Sequence, residues 1–229
     1  MTSGFSILRG EFNTFDILRV DSIIGDSITP PQFFYSGVQW GTTNELYQTS
    51  TLLRIATSFS YLPTIHGKIR FVRADSPRES FCTLDDKCSG CKIYDRDLVF
   101  AESFNEYKEE DWEIIDGEFI LIAGSNLPKG LPDLHTPYSH LSDGAIDLII
   151  ITKCTRAQLF NLLSSLETGE FVNHAAFNLG SFVHYLKVKA FTITPQLINN
   201  STFTLDGQQT FLNSIRVFNV PGAVSILTQ

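Results

Sequence analysis

Three cysteines lie close together in the chain, in the pattern C-x5-C-x2-C formed by Cys82, Cys88 and Cys91. Two thiolates separated by two residues are the usual half of a tetrahedral zinc site, which needs four ligands. The candidates for the fourth ligand are Cys154, His135 and His140. We expect Cys154, because ITKCTR places it at the end of a strand where a loop could dock. The alternative is three loop thiols kept reduced without a metal.

Carboxylates next to glycines form the second group of candidate residues. Asp143–Gly144 and Asp206–Gly207 are pairs that favour tight turns, and Asp147 fits a strand-end residue with a local hydrogen bond. Acid–base catalysis requires a defined geometry around the reacting proton. Without a phosphate-binding loop, these carboxylates do not predict an independent acid–base enzyme.

The composition excludes several classes of protein. The 229 residues are 43% hydrophobic and 18% charged, as in ordinary globular proteins, and the formal net charge is −8. An acidic surface disfavours nucleic acid and anionic membranes as general partners. The N-terminal residues lack the apolar stretch of a signal peptide, and the longest apolar runs are too short to span a bilayer. We therefore expect a cytoplasmic protein without a transmembrane segment, with peripheral membrane association left open.

Short apolar runs bounded by turn residues predict strands throughout the chain. Asp116–Gly117 within EIIDGEFILIAG predicts a β-hairpin, because this pair suits tight turns. The predicted strands are FDILRVDSII, FFYSGVQW, GKIRFV, the two halves of EIIDGEFILIAG, AIDLIIIT, YLKVKAFTIT, STFTL, SIRVFNV and AVSIL.

Helical spacing of apolar residues is found in two segments, Glu45 to Phe59 and Thr155 to Thr168, the second with Thr155 as its N-cap. The charge-rich residues 73–111 are expected to form a long insertion. The sequence thus predicts one mainly β (α+β) domain, an antiparallel β-sandwich with two or three helices, rather than a doubly wound sheet.

Several strings, taken in order, resemble the sphingosine (long-chain base) kinases and the wider diacylglycerol-kinase-like lipid kinases. They are LRGEFNTFDILRV, GKIRFV, DWEIIDGEFILIAGSNLPKG, HLSDGAIDLIIITKCTRAQLFNLLSSLETGEF, YLKVKAFTITP and TFTLDGQQ. The resemblance runs over nearly the whole chain and corresponds to the C-terminal lobe of these enzymes. It implies a two-lobe enzyme in which this lobe encloses the lipid tail and closes over ATP and Mg²⁺.

The resemblance also assigns roles to residues. Glu45 and Tyr47 match positions that bind the sphingoid amine, and Arg54 matches an arginine that contacts the phosphates. Asp206, Gly207 and Gln208 match the Asp-Gly-Glu strand end at the nucleotide, with Gln208 in place of the glutamate. The position of the second family arginine is occupied by Ser60. A cysteine cluster with different spacing is found at about this place in ceramide kinases.

The family's Gly-Gly-Asp-Gly-Thr loop, which holds the ATP phosphates and supplies an Asp as general base, is not found in these 229 residues. We therefore expect no catalytic residue here and no kinase activity from the chain by itself. The leading hypothesis is the lipid-binding lobe of a kinase that phosphorylates the primary hydroxyl of a sphingoid base, together with an N-terminal lobe or kinase partner. The alternatives are a non-catalytic lipid- or partner-binding module, or the lobe of a ceramide or diacylglycerol kinase.

Overall fold

The computed structural model describes residues 12–24, 27–41, 64–75, 82, 88–91, 107–129, 135–159, 162, 182–196, 202–211 and 213–227. Strands dominate these residues. They are β1 (Phe12–Ile24), β2 (Ser27–Ile28), β3 (Gln32–Phe34), β4 (Gly37–Gly41), β5 (Ile65–Arg73), β6 (Trp112–Ser125), β7 (Ile146–Thr152), β8 (Val183–Pro195), β9 (Thr202–Leu205), β10 (Gln208–Phe211) and β11 (Ser214–Leu227). A 3-10 turn, Glu109–Asp111, precedes β6.

All strand pairings among the described residues are antiparallel, in the order β10-β9-β4-β6-β5-β8-β11-β1-β2, with β3 beside β1. The remaining strand, β7, pairs with both β6 and β8. The first half of β6 pairs with β5 and its second half with β7, while β8 pairs first with β7 and then with β5. These four strands therefore form a hydrogen-bonded ring, and the expected antiparallel sandwich-like architecture is confirmed.

The strand β7 is buried on both of its faces, which explains why its sequence is apolar apart from Asp147 and the terminal Thr152. Ile146, Leu148 and Ile150 pack into the main core, which also contains Trp40 and Phe191. The side chains on the opposite face of β7 belong to a second hydrophobic cluster. Its buried members from other parts of the chain are Ile120, Leu121, Ala123, Leu159, Leu162 and Phe182. Leu159 and Leu162 are helical, so the helix that follows β7 covers the outer face of the sheet.

This helix begins where the sequence predicts. The Thr155 hydroxyl accepts a hydrogen bond from the Gln158 backbone N–H (3.3 Å), and the Gln158 side chain accepts one from the Thr155 backbone N–H (2.9 Å). This reciprocal pair is a capping box, which satisfies two otherwise unpaired donors at the helix start. Its described helical residues are 156–159 and 162.

The expectation of two or three helices is not supported. Within the part of the chain that the structure describes, helical structure is limited to this short helix and the 3-10 turn. The helix predicted for Glu45 to Phe59 lies outside the described residues.

The predicted hairpin at Asp116–Gly117 is wrong, because β6 continues without interruption from Trp112 to Ser125. Gly117 has a φ of 156° and pairs with Gly67 of β5, and the register continues on both sides of the pair. The long partner strand β5 provides hydrogen bonds across this position, and these override the turn preference of the Asp-Gly pair.

Two other strand boundaries differ from the prediction. The segment FFYSGVQW is divided into β3 and β4 by a bend at Tyr35 and Ser36. Conversely, SIRVFNV and AVSIL form one strand, β11, which continues through Pro221 and Gly222. The predicted insertion at residues 73–111 lies largely outside the described residues. In the described regions, no helix has the length and apolar character needed to cross a membrane.

Candidate functional site

The turn between β9 and β10 places Asp206, Gly207 and Gln208 at the end of a strand pair. Asp206 and Gly207 have φ angles of 46° and 80°, the left-handed conformation that Asp tolerates and Gly readily adopts. Gly207 and Gln208 are exposed, whereas Asp206 is partly buried. The Asp-Gly turn that the sequence predicts is therefore present.

The Asp206 carboxylate is held by the backbone at the start of β4. Its Oδ1 accepts hydrogen bonds from the backbone N–H of Ser36 (2.8 Å) and Gly37 (3.0 Å) and from the Ser36 hydroxyl (2.6 Å). Its Oδ2 accepts one from the Tyr35 N–H (3.1 Å). Since four donors of its own chain already surround this carboxylate, its demonstrable role is to join the β9–β10 turn to the bend between β3 and β4.

A second acidic group is buried between β7 and β8. The Lys187 ammonium donates to Asp143 (2.6 Å) and to Asp147 (2.8 Å), and all three side chains are at most 1% exposed. The Tyr185 hydroxyl donates to the other oxygen of Asp147 (2.5 Å). Asp143 and Asp147 are thus partners of a buried lysine and are almost completely excluded from solvent.

The protonation of this group follows from its composition. The two carboxylates together overcome the effect of burial and raise the pKa of Lys187, so it remains a cation. Burial raises the pKa of Asp147 and the neighbouring Asp143 adds to the shift, while the Lys187 ammonium opposes it only in part. The pKa of Tyr185 is raised well above its ordinary value, chiefly by burial and then by Asp147, which keeps its hydroxyl a donor.

Sequence reasoning missed Lys187, although it lies in YLKVKAFTITP, one of the strings on which the family resemblance rests. The sequence offers no signal for it, because Leu186 and Val188 lie on the opposite face of the strand and Lys187 shares its own face with the partly exposed Lys189. Once Lys187 is buried, it needs a buried carboxylate partner. The turn residue Asp143 and the strand residue Asp147 were the only part of this group that the sequence singled out.

Asp16 is a further buried carboxylate that the sequence reasoning did not select. It lies in β1 and accepts hydrogen bonds from the backbone N–H of Gly144 (2.7 Å) and Gly222 (2.7 Å) and from the Asn219 amide (3.1 Å). Asp16 therefore joins β1 and β11 to the turn before β7. Burial raises the pKa of Asp16 to about 7, although the three donors oppose the shift.

The third group contains Cys82, Cys88, Cys91 and His140, whose ligand atoms all lie within 4.8 Å of one another. The Cys82 and Cys91 sulfurs are 3.7 Å apart, and those of Cys82 and Cys88 are 3.9 Å apart. The Nδ1 of His140 lies 3.3 Å from the Cys88 sulfur and 3.8 Å from the Cys91 sulfur. The three predicted cysteines are thus brought together.

Cys154 is not part of this group, so the preference for it as fourth ligand is corrected in favour of His140. Cys154 packs instead against the second hydrophobic cluster, beside the start of the helix. The sequence reasoning placed it correctly at a strand end but could not tell which face of the sheet that end adjoins. His135 is also outside the group that the described residues form.

Without a metal, the thiol and imidazole groups hydrogen-bond to one another. The contact with Cys82, followed by burial, raises the pKa of Cys91 to about 11. The contact with Cys91 is the largest cause that raises the pKa of His140 to about 9. The remaining predicted site residues, Glu45, Tyr47 and Arg54, lie outside the described residues.

Comparison with known proteins fits this architecture. Residues 115–228 match the YegS C-terminal NAD kinase beta sandwich-like domain. Sphingosine kinase 1 of Arabidopsis thaliana is 27% identical over 205 residues, which cover 83% of this chain and 39% of that protein. The chain belongs to the diacylglycerol-kinase-like lipid kinase family, as a C-terminal lobe.

Two other relatives of this lipid-kinase lobe are informative. Ceramide kinase of Homo sapiens is 34% identical over 96 residues, which cover 37% of this chain and 16% of that protein. A Bacillus anthracis structure described as a diacylglycerol kinase superposes with a TM-score of 0.54 at 14% identity, covering 98% of this chain and 59% of that one. This likeness shows the fold. The lobe spans well under half the length of the curated relatives it matches.

The first prediction concerns the buried lysine, Lys187. We expect Lys187→Met to lower the free energy of unfolding by about 3–5 kcal/mol, because it leaves two buried carboxylates without their cation. The matched control is Lys189→Met on the same strand, where a partly exposed lysine pairs with the exposed Asp75 and the loss should be below about 1 kcal/mol. Urea unfolding of both variants measures the difference, and equal losses would contradict the structural role of Lys187.

The second prediction concerns Asp16 and the pH dependence of the free energy of unfolding. Its pKa is higher in the folded state than in the unfolded chain, so the folded protein retains a proton that the unfolded chain has released. This group therefore makes the free energy of unfolding fall as the pH rises from about 4 to about 7, by at most about 1.4 kcal/mol per pH unit. Asp16→Asn should flatten that dependence, whereas Asp116→Asn, at an exposed carboxylate, should preserve it. Unchanged pH dependence in Asp16→Asn would show that another group titrates.

Proposed function

We propose that this chain is the lipid-binding lobe of an ATP-dependent kinase that phosphorylates the primary hydroxyl of a sphingoid base. The observation that carries the proposal is the extent of the similarity to sphingosine kinase 1 of Arabidopsis thaliana, which covers 83% of the chain. A lobe of this kind contributes a site for the lipid and positions it, since positioning of the reactants supplies much of the rate of phosphoryl transfer.

The polar end of the lipid would be held by Glu45 and Tyr47. A sphingoid base carries an ammonium group close to its hydroxyl, and a carboxylate is the side chain that compensates such a charge when water is excluded. The alkyl chain of the lipid needs an apolar slot. The polypeptide could line one, because it contains 19 phenylalanines. Burying that alkyl chain would provide most of the affinity.

The nucleotide would lie near the turn formed by Asp206, Gly207 and Gln208, with Arg54 contacting the phosphates and Mg²⁺ bound together with ATP. The contacts of Asp206 support a positioning role, because its carboxylate already accepts four hydrogen bonds from residues 35–37. The exposed Gly207 and Gln208 are then the residues of this turn that would face the nucleotide.

Catalysis also requires a phosphate-binding loop and a base for the lipid hydroxyl. Neither the Gly-Gly-Asp-Gly-Thr string nor another glycine-rich phosphate loop is found in these 229 residues. We therefore propose that both come from an N-terminal lobe, either in the same polypeptide or in a partner protein. Cytoplasmic activity, with the lipid taken from a membrane surface, would suit this arrangement.

A ceramide kinase lobe is the second candidate. It is favoured by the 34% identity to ceramide kinase of Homo sapiens, which is higher than the identity to the sphingosine kinases but is confined to 37% of the chain. The two substrates differ in charge, because the nitrogen of ceramide belongs to a neutral amide. The contribution of Glu45 to binding therefore distinguishes them.

We expect the purified 229-residue chain to transfer no phosphate from ATP to sphingosine above the uncatalysed background. Both the base and the phosphate loop are missing, and general-base catalysis alone contributes about 10²–10⁴-fold in rate. Radiolabel transfer measures the activity, with a complete sphingosine kinase as the positive control. Product formation that is lost in a folded Asp206→Asn variant would contradict this view of the chain.

The lipid proposal is tested separately by binding. The chain should bind sphingosine more tightly than ceramide, and Glu45→Gln should weaken sphingosine binding about 10-fold or more, because a charge-assisted hydrogen bond is lost. Glu110→Gln, at an exposed glutamate, is the matched control. Tighter binding of ceramide that is insensitive to Glu45→Gln would favour the second candidate, and binding of neither lipid would overturn the lipid-binding role.

A further inference from the structure

We propose that Cys82, Cys88, Cys91 and His140 bind one Zn²⁺ in a closed tetrahedral site, which fastens residues 82 and 88–91 to the segment that leads into β7. This proposal is independent of the kinase assignment. It rests on the positions of four side chains from two distant parts of the sequence.

The distances between the ligand atoms fit a tetrahedral zinc ion. With Zn–S bonds of about 2.3 Å and a Zn–N bond of about 2.0–2.1 Å, tetrahedral angles require sulfurs about 3.8 Å apart and sulfur–nitrogen distances of about 3.5 Å. The observed sulfur–sulfur distances are 3.7 and 3.9 Å. The observed distances to His140 Nδ1 are 3.3 and 3.8 Å. The four atoms thus surround a point at which one zinc ion would fit.

The backbone around the C-x2-C pair is shaped for the same arrangement. The Cys91 N–H donates to the Cys88 carbonyl oxygen (3.3 Å), which closes a tight turn over Ser89 and Gly90. The His140 ring lies directly over this turn, and a Cβ at position 90 would come within 2.1 Å of its Cε1. Only glycine at position 90 therefore allows the imidazole to reach the sulfurs.

Neither of the other ways to use these thiols fits as well. A disulfide requires sulfurs about 2.05 Å apart, which is far shorter than any of the observed separations. Thiols are weak hydrogen-bond donors and acceptors, so three of them facing one imidazole without a metal contribute little to stability. Three thiolates with one imidazole are a common ligand set for structural zinc.

The place of the site in the fold indicates a structural role. His140 lies three residues before Asp143, which pairs with Lys187, and next to Leu141, whose carbonyl oxygen accepts a hydrogen bond from the Asp16 N–H (2.7 Å). The zinc would therefore fasten the charge-rich 73–111 region to the segment that Asp16 and Lys187 already anchor. Four protein ligands leave no open position for water or substrate.

The purified chain should contain about one zinc per molecule by elemental analysis. Replacement by Co²⁺ should give the visible absorption of a tetrahedral thiolate site, including sulfur-to-metal charge transfer. Cys88→Ser and His140→Ala should each lose most of the bound metal and the Co²⁺ spectrum. Cys154→Ser is the matched control, since this cysteine lies outside the group, and it should retain both.

The wild-type chain also provides a test that needs no variant. A chelator that removes the metal should make the 73–111 region sensitive to protease, and Zn²⁺ should restore the protection while Mg²⁺ should not. Retention of zinc in His140→Ala with loss in Cys154→Ser would overturn the assignment of the fourth ligand. Absence of zinc, together with no tetrahedral spectrum on addition of Co²⁺, would overturn the site.

Discussion

The buried ammonium of Lys187 is the interaction on which the centre of this lobe depends. It reaches Asp147 on the neighbouring strand β7 and Asp143 in the turn before it, so one cation fixes both the pairing of β7 with β8 and the path of the chain into β7. A hydrophobic residue would pack in the same space but would not select a partner. Because two carboxylates need the same lysine, shifting β7 by one residue along β8 would leave charges unpaired in the core.

Asp16 extends this arrangement to the outer strands. Its carboxylate connects β1 and β11 to Gly144, which adjoins Asp143. The buried polar groups therefore extend from β1 and β11 to the ring of β5, β6, β7 and β8. The proposed zinc ligand His140 precedes the same turn. This short segment therefore contacts the Asp16 carboxylate at Gly144 and the cysteine sulfurs at His140.

Most strands could be predicted from the sequence because each is a run of apolar residues bounded by residues that favour turns. The prediction failed at Asp116–Gly117, since the turn preference of two residues is weaker than the hydrogen bonds that β5 provides across them. The turn at Asp206 was predicted correctly, because no neighbouring strand supplies hydrogen bonds across it that could override the local turn preference. Local preferences thus decide the structure where neighbouring strands leave a choice.

The candidate site was predictable only in its local parts. The spacing of Cys88 and Cys91 indicated a half-site for zinc. The fourth ligand depends on which distant loop approaches the cysteines, and in the fold this is the loop that carries His140. Lys187 was likewise invisible as a site residue until β7 lay beside β8. The strands β1 and β11 come from opposite ends of the described chain, with Phe12 opposite Leu227. During synthesis, therefore, β1 cannot complete its pairing until β11 has left the ribosome. Until then the edge of β1 that β11 will occupy keeps its backbone N–H and C=O groups unpaired, and a chaperone would have to prevent aggregation at this edge.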